Sequence, residues 1–180
     1  MDPTAHALPD PDGFPWAVAT DGPAATAALG GRLARLITGG EIILLHGDLG
    51  AGKTCLTQGL CKGLGVEGEV VSPTFTLVNT YRGDLVVHHL DFYRVEPGAD
   101  LGDIGLPDIL DEVAGGGAIL VAEWPDRILA ELRGFPLVAE WLGTAGPGPD
   151  DRTWRLRARP AVPESWRTLV GPAEGADGPC

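Results

Sequence analysis

The chain has 180 residues, 44% apolar and 21% charged, proportions of a globular domain with a full core rather than of a low-complexity polymer. Its 13 Lys and Arg stand against 25 Asp and Glu, and the resulting charge of −12 argues against a protein that grips RNA or DNA by itself, since that contact depends on neutralising phosphates. Cys55, Cys61 and Cys180 form an odd set without CxxC spacing, which disfavours a disulfide framework or a zinc site and points to reduced thiols in a cytoplasmic protein.

The first 14 residues are rich in Pro and Asp, contain no Lys or Arg, and have little to bury. They read as a disordered leader rather than a signal peptide, and no later run is long enough to span a membrane. Residues 15–170 are expected to form one domain, with a disordered tail over 171–180. Trp16 to Thr20 is a candidate first strand. Leu29, Leu33, Leu36 and Ile37 then recur at helical spacing between Ala24 and Thr38, and Gly39 and Gly40 terminate that helix.

Ile42 to Leu45 is a short buried strand that stops at Gly47. Gly47, Asp48, Leu49, Gly50, Ala51, Gly52, Lys53 and Thr54 follow the P-loop pattern GxxxxGK[ST], and helix formers come next. The glycines allow positive φ and the close approach of phosphate oxygens to backbone N–H groups. Lys53 adds a cation for the β and γ phosphates, and the Thr54 hydroxyl is placed to ligate Mg²⁺. Leu56, Leu60 and Leu64 mark the packing face of the helix, Gly59 and Gly63 indicate close contact, and Gly65 ends it.

Residues 70–81 read as extended chain after Pro73. Arg82 to Asp84 is a hairpin turn, and Leu85 to Leu90 returns as a strand ending at Asp91. His88 and His89 point to opposite faces of it and are read as bystanders rather than metal ligands. Residues 97–112 predict two short helical pieces. Ala118 to Ala122 is a second buried strand, tipped by Glu123. A carboxylate at such a strand end lies beside the ligand crevice of an α/β sheet, and a P-loop site needs one opposite the loop to hold its cation. Asp126 to Arg133 predicts a short helix, Pro136 to Leu142 a strand, Thr144 to Asp150 a mobile loop, Thr153 to Ala158 an edge strand with a basic face, and Pro163 to Val170 a closing helix.

These motifs in order, GDLGAGKT at the loop, SPTFTLVNTY at 72–81, HLDFYRV at 89–95, IGL at 104–106 and VAEWPDRI at 121–128, resemble the TsaE (YjeE) family over residues 20–158. That family comprises small bacterial P-loop ATPases that take part in making threonylcarbamoyladenosine in tRNA. The resemblance implies a three-layer P-loop NTPase fold: a mostly parallel central sheet flanked by helices, with an antiparallel hairpin and an edge strand. It also implies ATP and Mg²⁺ as ligands and work with TsaB and TsaD homologues, which would handle the tRNA. By position, Gly47, Gly50, Ala51, Gly52, Lys53 and Thr54 would wrap the phosphates, Thr54 with Glu123 would hold Mg²⁺, and Asp91 would be the essential acid near the γ-phosphate. Thr74 and Thr76 lie in a segment resembling a phosphate-sensing switch, and Pro23 and Arg152 fall near the rest of the nucleotide. The chain departs from the pattern at 98–103, where Gly98, Gly102 and Asp103 interrupt an acidic, more helical run.

Two other readings share the P-loop. A small-molecule kinase would need arginines converging on the transferring phosphate, and Arg94, Arg127 and Arg133 are scattered. A nucleotide-dependent binding module with negligible turnover would need only the loop. A GTPase is disfavoured because no NKxD-type guanine-reading segment occurs.

Overall fold

A computed structural model describes residues 6–173. In chain order the elements are β1 (Trp16–Asp21), α1 (Pro23–Ala34), β2 (Ile42–His46), α2 (Lys53–Gly63), β3 (Val78–Arg82), β4 (Val86–Asp91), α3 (Leu106–Ala114), β5 (Ala118–Glu123), β6 (Val138–Ala145), β7 (Asp151–Arg159) and β8 (Gly171–Pro172). The strands form one sheet in the order β3-β4-β5-β2-β6-β7-β1-β8. Its centre, β4-β5-β2-β6, is parallel, and the outer strands on both sides run antiparallel. The sheet is therefore mixed, with its parallel part confined to the strands whose apolar runs are buried on both faces.

One face packs against α1 and α2 through Leu29, Leu33, Leu56, Leu60, Ile43, Leu45 and Val121. The other packs against α3 through Ile42, Leu44, Leu120, Ile109 and Val113. The small residues of the P-loop helix let α1 come close, since a Cβ at Gly59 would lie 1.9 Å from the Ala27 carbonyl oxygen. Among the described residues no helix is long and apolar enough to cross a membrane.

Several local expectations shift. Helix α1 ends at Ala34 rather than Thr38, because the Glu41 carboxylate draws Thr38 and Gly39 into a turn through the Thr38 N–H, the Thr38 hydroxyl and the Gly39 N–H. Residues 70–77 are folded back rather than extended, with Leu77 at φ 64° and its N–H on the Pro73 carbonyl. The helix expected over 126–133 is one 3-10 turn, Pro125–Arg127, and the closing helix is likewise 3-10, Glu164–Leu169. β7 is not an edge strand: it pairs with β6 and β1, and its basic face is spent, since Arg157 donates to the buried Glu140 and Arg155 to the Thr144 hydroxyl. The expected disordered ends also need correction. Pro11–Gly13 form a 3-10 turn capped by Asp10, Phe14 is buried under the Arg157 guanidinium, and His6 bonds to Asp126 and the Tyr93 carbonyl. Gly171 and Pro172 pair with β1, and the Ala173 N–H donates to the Pro15 carbonyl; residues 174–180 of the predicted tail, Cys180 among them, lie outside the described residues.

Candidate functional site

The site lies where P-loop chemistry requires it, at the C-terminal tips of the parallel strands. Strand β2 ends at His46, and Gly47, Gly50 and Gly52 adopt φ of 135°, 79° and 95°, which side chains rarely tolerate. At Gly47 a Cβ would also strike the Gly143 carbonyl at 2.5 Å, whereas at Gly50 it would meet nothing within 4 Å, so that glycine is required by its backbone turn and leaves open space above it. The loop delivers Lys53 as the first residue of α2. The Lys53 ammonium donates to the carbonyls of Gly47 (2.7 Å) and Asp48 (3.0 Å) and lies 4.0 Å from the centre of the Trp124 ring. Burial lowers its pKa, while the carboxylates of Glu123, Asp91 and Asp48 act to raise it.

Glu123 tips β5, in register with Leu45 of the P-loop strand on one side and Asp91 of β4 on the other. Its Oε1 accepts the Thr54 hydroxyl at 3.0 Å and faces His89 Nε2 at 2.9 Å. Asp91 is 3% exposed and fully engaged: Oδ2 accepts the hydroxyls of Ser72 (2.7 Å) and Thr74 (2.6 Å), and Oδ1 accepts the Tyr93 N–H at 2.9 Å. An open cavity of about 440 Å³ is lined by Gly50 to Thr54, Ser72, Thr74, Glu123 and Trp124. Asp91 thus stands behind the cavity wall, bonded to the Ser72 and Thr74 hydroxyls that line it.

The structure brings Gly47, Gly50, Ala51, Gly52, Lys53, Thr54, Thr74, Asp91 and Glu123 together, but turns Thr76 away to donate to Asn79. Pro23 and Arg152 line an adjoining recess of about 70 Å³ with Gly50 and Cys55. Arg152 also clamps the loop, since its Nε and Nη2 donate to the Gly50 carbonyl at 3.1 and 2.9 Å. Three participants escaped the sequence reading. Ser72 carries a signal only as the first residue of the SPTFT segment that also holds Thr74. Trp124 carries one only in its contiguity with Glu123; it adopts φ 55° to swing its ring over Lys53. His89, read as a bystander, had one usable signal: the two-residue period that puts it on the same face of β4 as Asp91.

Thr54 and Glu123 are close enough for one small cation to touch both. Among the described residues no cluster of three His, Cys, Asp or Glu side chains is arranged to hold a metal alone. This donor set suits Mg²⁺, which is commonly held by one or two protein oxygens together with phosphate and water.

A glycine loop at the tip of a central parallel strand, a Lys-Thr pair opening the next helix and an acid on the neighbouring strand define a protein of the P-loop NTPase-like α/β class. Bacillus subtilis YdiB superposes with a TM-score of 0.64 and 30% identity, over 85% of this chain and 89% of YdiB. The family model for "Threonylcarbamoyl adenosine biosynthesis protein TsaE" matches residues 20–141, and the chain belongs to the TsaE family. Relatives bearing the name tRNA threonylcarbamoyladenosine biosynthesis protein TsaE include those of Treponema pallidum, 42% identical over 107 residues (59% of this chain, 76% of the relative), and Synechocystis, 46% identical over 110 residues (58% and 66%).

Proposed function

We propose that the protein is a Mg²⁺-dependent ATPase of tRNA threonylcarbamoyladenosine formation, working in the cytoplasm with homologues of TsaB and TsaD. The observation that carries this reading is the convergence of the P-loop Thr54 hydroxyl on the Glu123 carboxylate, 3.0 Å apart at the mouth of a glycine-lined cavity. The loop N–H groups and Lys53 bind the phosphates, and Thr54 with Glu123 hold Mg²⁺, which when bound neutralises charge on the phosphate oxygens. Asp91, through Ser72 and Thr74, sets the loop that senses the terminal phosphate, and Pro23 and Arg152 border the remainder of the nucleotide.

Three of the exposed large apolar side chains belong to the same region: Leu49 in the P-loop, and Val71 and Phe75 flanking Ser72 and Thr74. Apolar groups gathered at the mouth of a site favour a protein partner that closes over it. With a charge of −12 the chain alone should not bind tRNA measurably, so the partner holds the nucleic acid.

The test is ATP binding by calorimetry with and without Mg²⁺, followed by hydrolysis by the protein alone and with purified TsaB and TsaD homologues. Slow hydrolysis alone that accelerates with partners is expected. Glu123→Gln should reduce the Mg²⁺ dependence of binding, and Asp91→Asn should spare binding and slow turnover. Absence of ATP binding, or full-speed hydrolysis without partners, would overturn the reading.

A further inference from the structure

His89 is fully buried in the middle of the sheet, in register with Val121 of β5 and two residues before Asp91. Its Nε2 lies 2.9 Å from Glu123 Oε1, and its Nδ1 is buried without a partner. An ionised carboxylate only accepts, so Nε2 carries the proton and Nδ1 is a bare acceptor sealed from water. Leaving such an atom unpaired in the interior is destabilising. What this position obtains in return is one hydrogen bond, directed at the acid that faces Thr54. The adjacent His88 differs: its Nδ1 meets the Thr80 hydroxyl at 3.1 Å and its Nε2 meets Glu112 at 2.8 Å, so both nitrogens are matched.

We infer that His89 is a positioning residue of the cation site, whose Nε2–H fixes the Glu123 carboxylate so that Oε1 faces Thr54 and Oε2 is left for the cation. This rests on the reading of Thr54 and Glu123 as the holders of Mg²⁺. Glu123 Oε1 already serves two donors from two different elements, Thr54 of α2 and His89 of β4. Oε2 has no hydrogen-bond partner among the described residues. A carboxylate tied only to Thr54 would be free to rotate about its terminal torsion, which is broad. The imidazole removes that freedom before the cation arrives. Groups that orient a metal-binding side chain in this way commonly contribute 10- to 100-fold to metal affinity.

Three substitutions separate hydrogen bonding from packing. The Gln side-chain amide reaches as far as Nε2, the shorter Asn amide reaches only the Nδ1 position, and Leu fills space without donating. Mn²⁺ uptake is read by electron paramagnetic resonance in the presence of a non-hydrolysable ATP analogue, with analogue affinity measured separately in chelator and folding checked by thermal melting. His89→Asn and His89→Leu should weaken Mn²⁺ binding 10- to 100-fold and leave analogue affinity in chelator within about twofold of the parent, while His89→Gln stays near the parent in both. His88→Leu should leave Mn²⁺ binding unchanged. Equal losses in His89→Gln and His89→Asn, or Mn²⁺ affinity retained in His89→Asn, would overturn the inference. If the parent binds the analogue but takes up no Mn²⁺, the cation reading of Thr54 and Glu123 falls, and the role of His89 with it.

Discussion

Replacing Gly59 by Ala tests how tightly the P-loop helix is bound to the body of the fold. Position 59 is inside α2, where exchanging Gly for Ala should by helix propensity alone stabilise the protein by about 1 kcal/mol. The structure predicts the opposite sign. The new methyl would sit 1.9 Å from the Ala27 carbonyl oxygen, 2.6 Å from its carbonyl carbon and 2.7 Å from its Cα, all backbone atoms that no rotamer change can move aside. Helix α1 must therefore retreat by about 1 Å, opening the contact between Leu29 and Leu33 on one side and Leu56 and Leu60 on the other. Overpacking of this kind costs about 1–3 kcal/mol, and obstruction by backbone places it at the upper end. A net loss of about 2 kcal/mol corresponds to a fall in Tm of roughly 4–8 °C in a chain of this length. Gly31→Ala is the internal control, because its methyl would meet the Gly59 carbonyl at an ordinary 3.6 Å and should raise Tm by a few degrees. Calorimetric melts of both variants decide the matter. A Gly59→Ala protein as stable as its parent would refute the close-packing argument.

The buried Glu140 should govern stability in acid. Burial opposes its ionisation, but hydrogen bonds from His46 and Arg157 prevail and hold its pKa down from 4.5 to about 2. A folded pKa below the unfolded one gives stability that is complete above about pH 4.5 and lost as pH falls towards 2; Glu140→Gln should flatten this limb of a urea-midpoint series, and an unchanged limb would sink the assignment. Lys53→Ala should weaken ATP binding roughly 10- to 150-fold, the equivalent of about 1.5–3 kcal/mol for a charge-assisted contact, with melting preserved; calorimetry giving parental affinity would contradict the proposed role. His6→Ala should cost about 1–2 kcal/mol in urea titrations, since it removes the bond to Asp126 and ring contacts with Trp124 and Tyr93. A parental midpoint would show that the His6 contacts with Asp126, Trp124 and Tyr93 add nothing to stability.

Much of the site was legible because its information is local. The P-loop is eight contiguous residues, and Asp91 and Glu123 each end an apolar run short enough to be a buried strand. Their mutual arrangement was not local: the register that sets Glu123 between Leu45 and Asp91 comes from the order β4-β5-β2, which no single segment encodes. The interior place of β7 was missed for a related reason. Its alternation of apolar and charged residues reads as one wet face, but Arg157 meets its counter-charge, Glu140, only once β6 lies alongside. The segment around Ser72 looked extended because Thr, Val and Phe favour strands, whereas two hydroxyls bound to one carboxylate fold it back. The N-terminal residues carried the least signal, since the anchor of His6 is 120 positions away.

The clamp from Arg152 to Gly50 bears on how this protein can be taken apart. The stretch most like the family, residues 20–141, begins inside β1 and ends inside β6, and the strand carrying Arg152 lies between those two in the sheet. Grafting that stretch into a relative would sever both strands that flank β7 and exchange the guanidinium fastening the loop for whatever the host supplies. A chimera that keeps the junctions in the turns on either side of β1 and β7 retains both ladders and the fastening. The unit of exchange is thus larger than the unit of recognisable similarity, and a cut placed by similarity alone falls through the middle of the sheet.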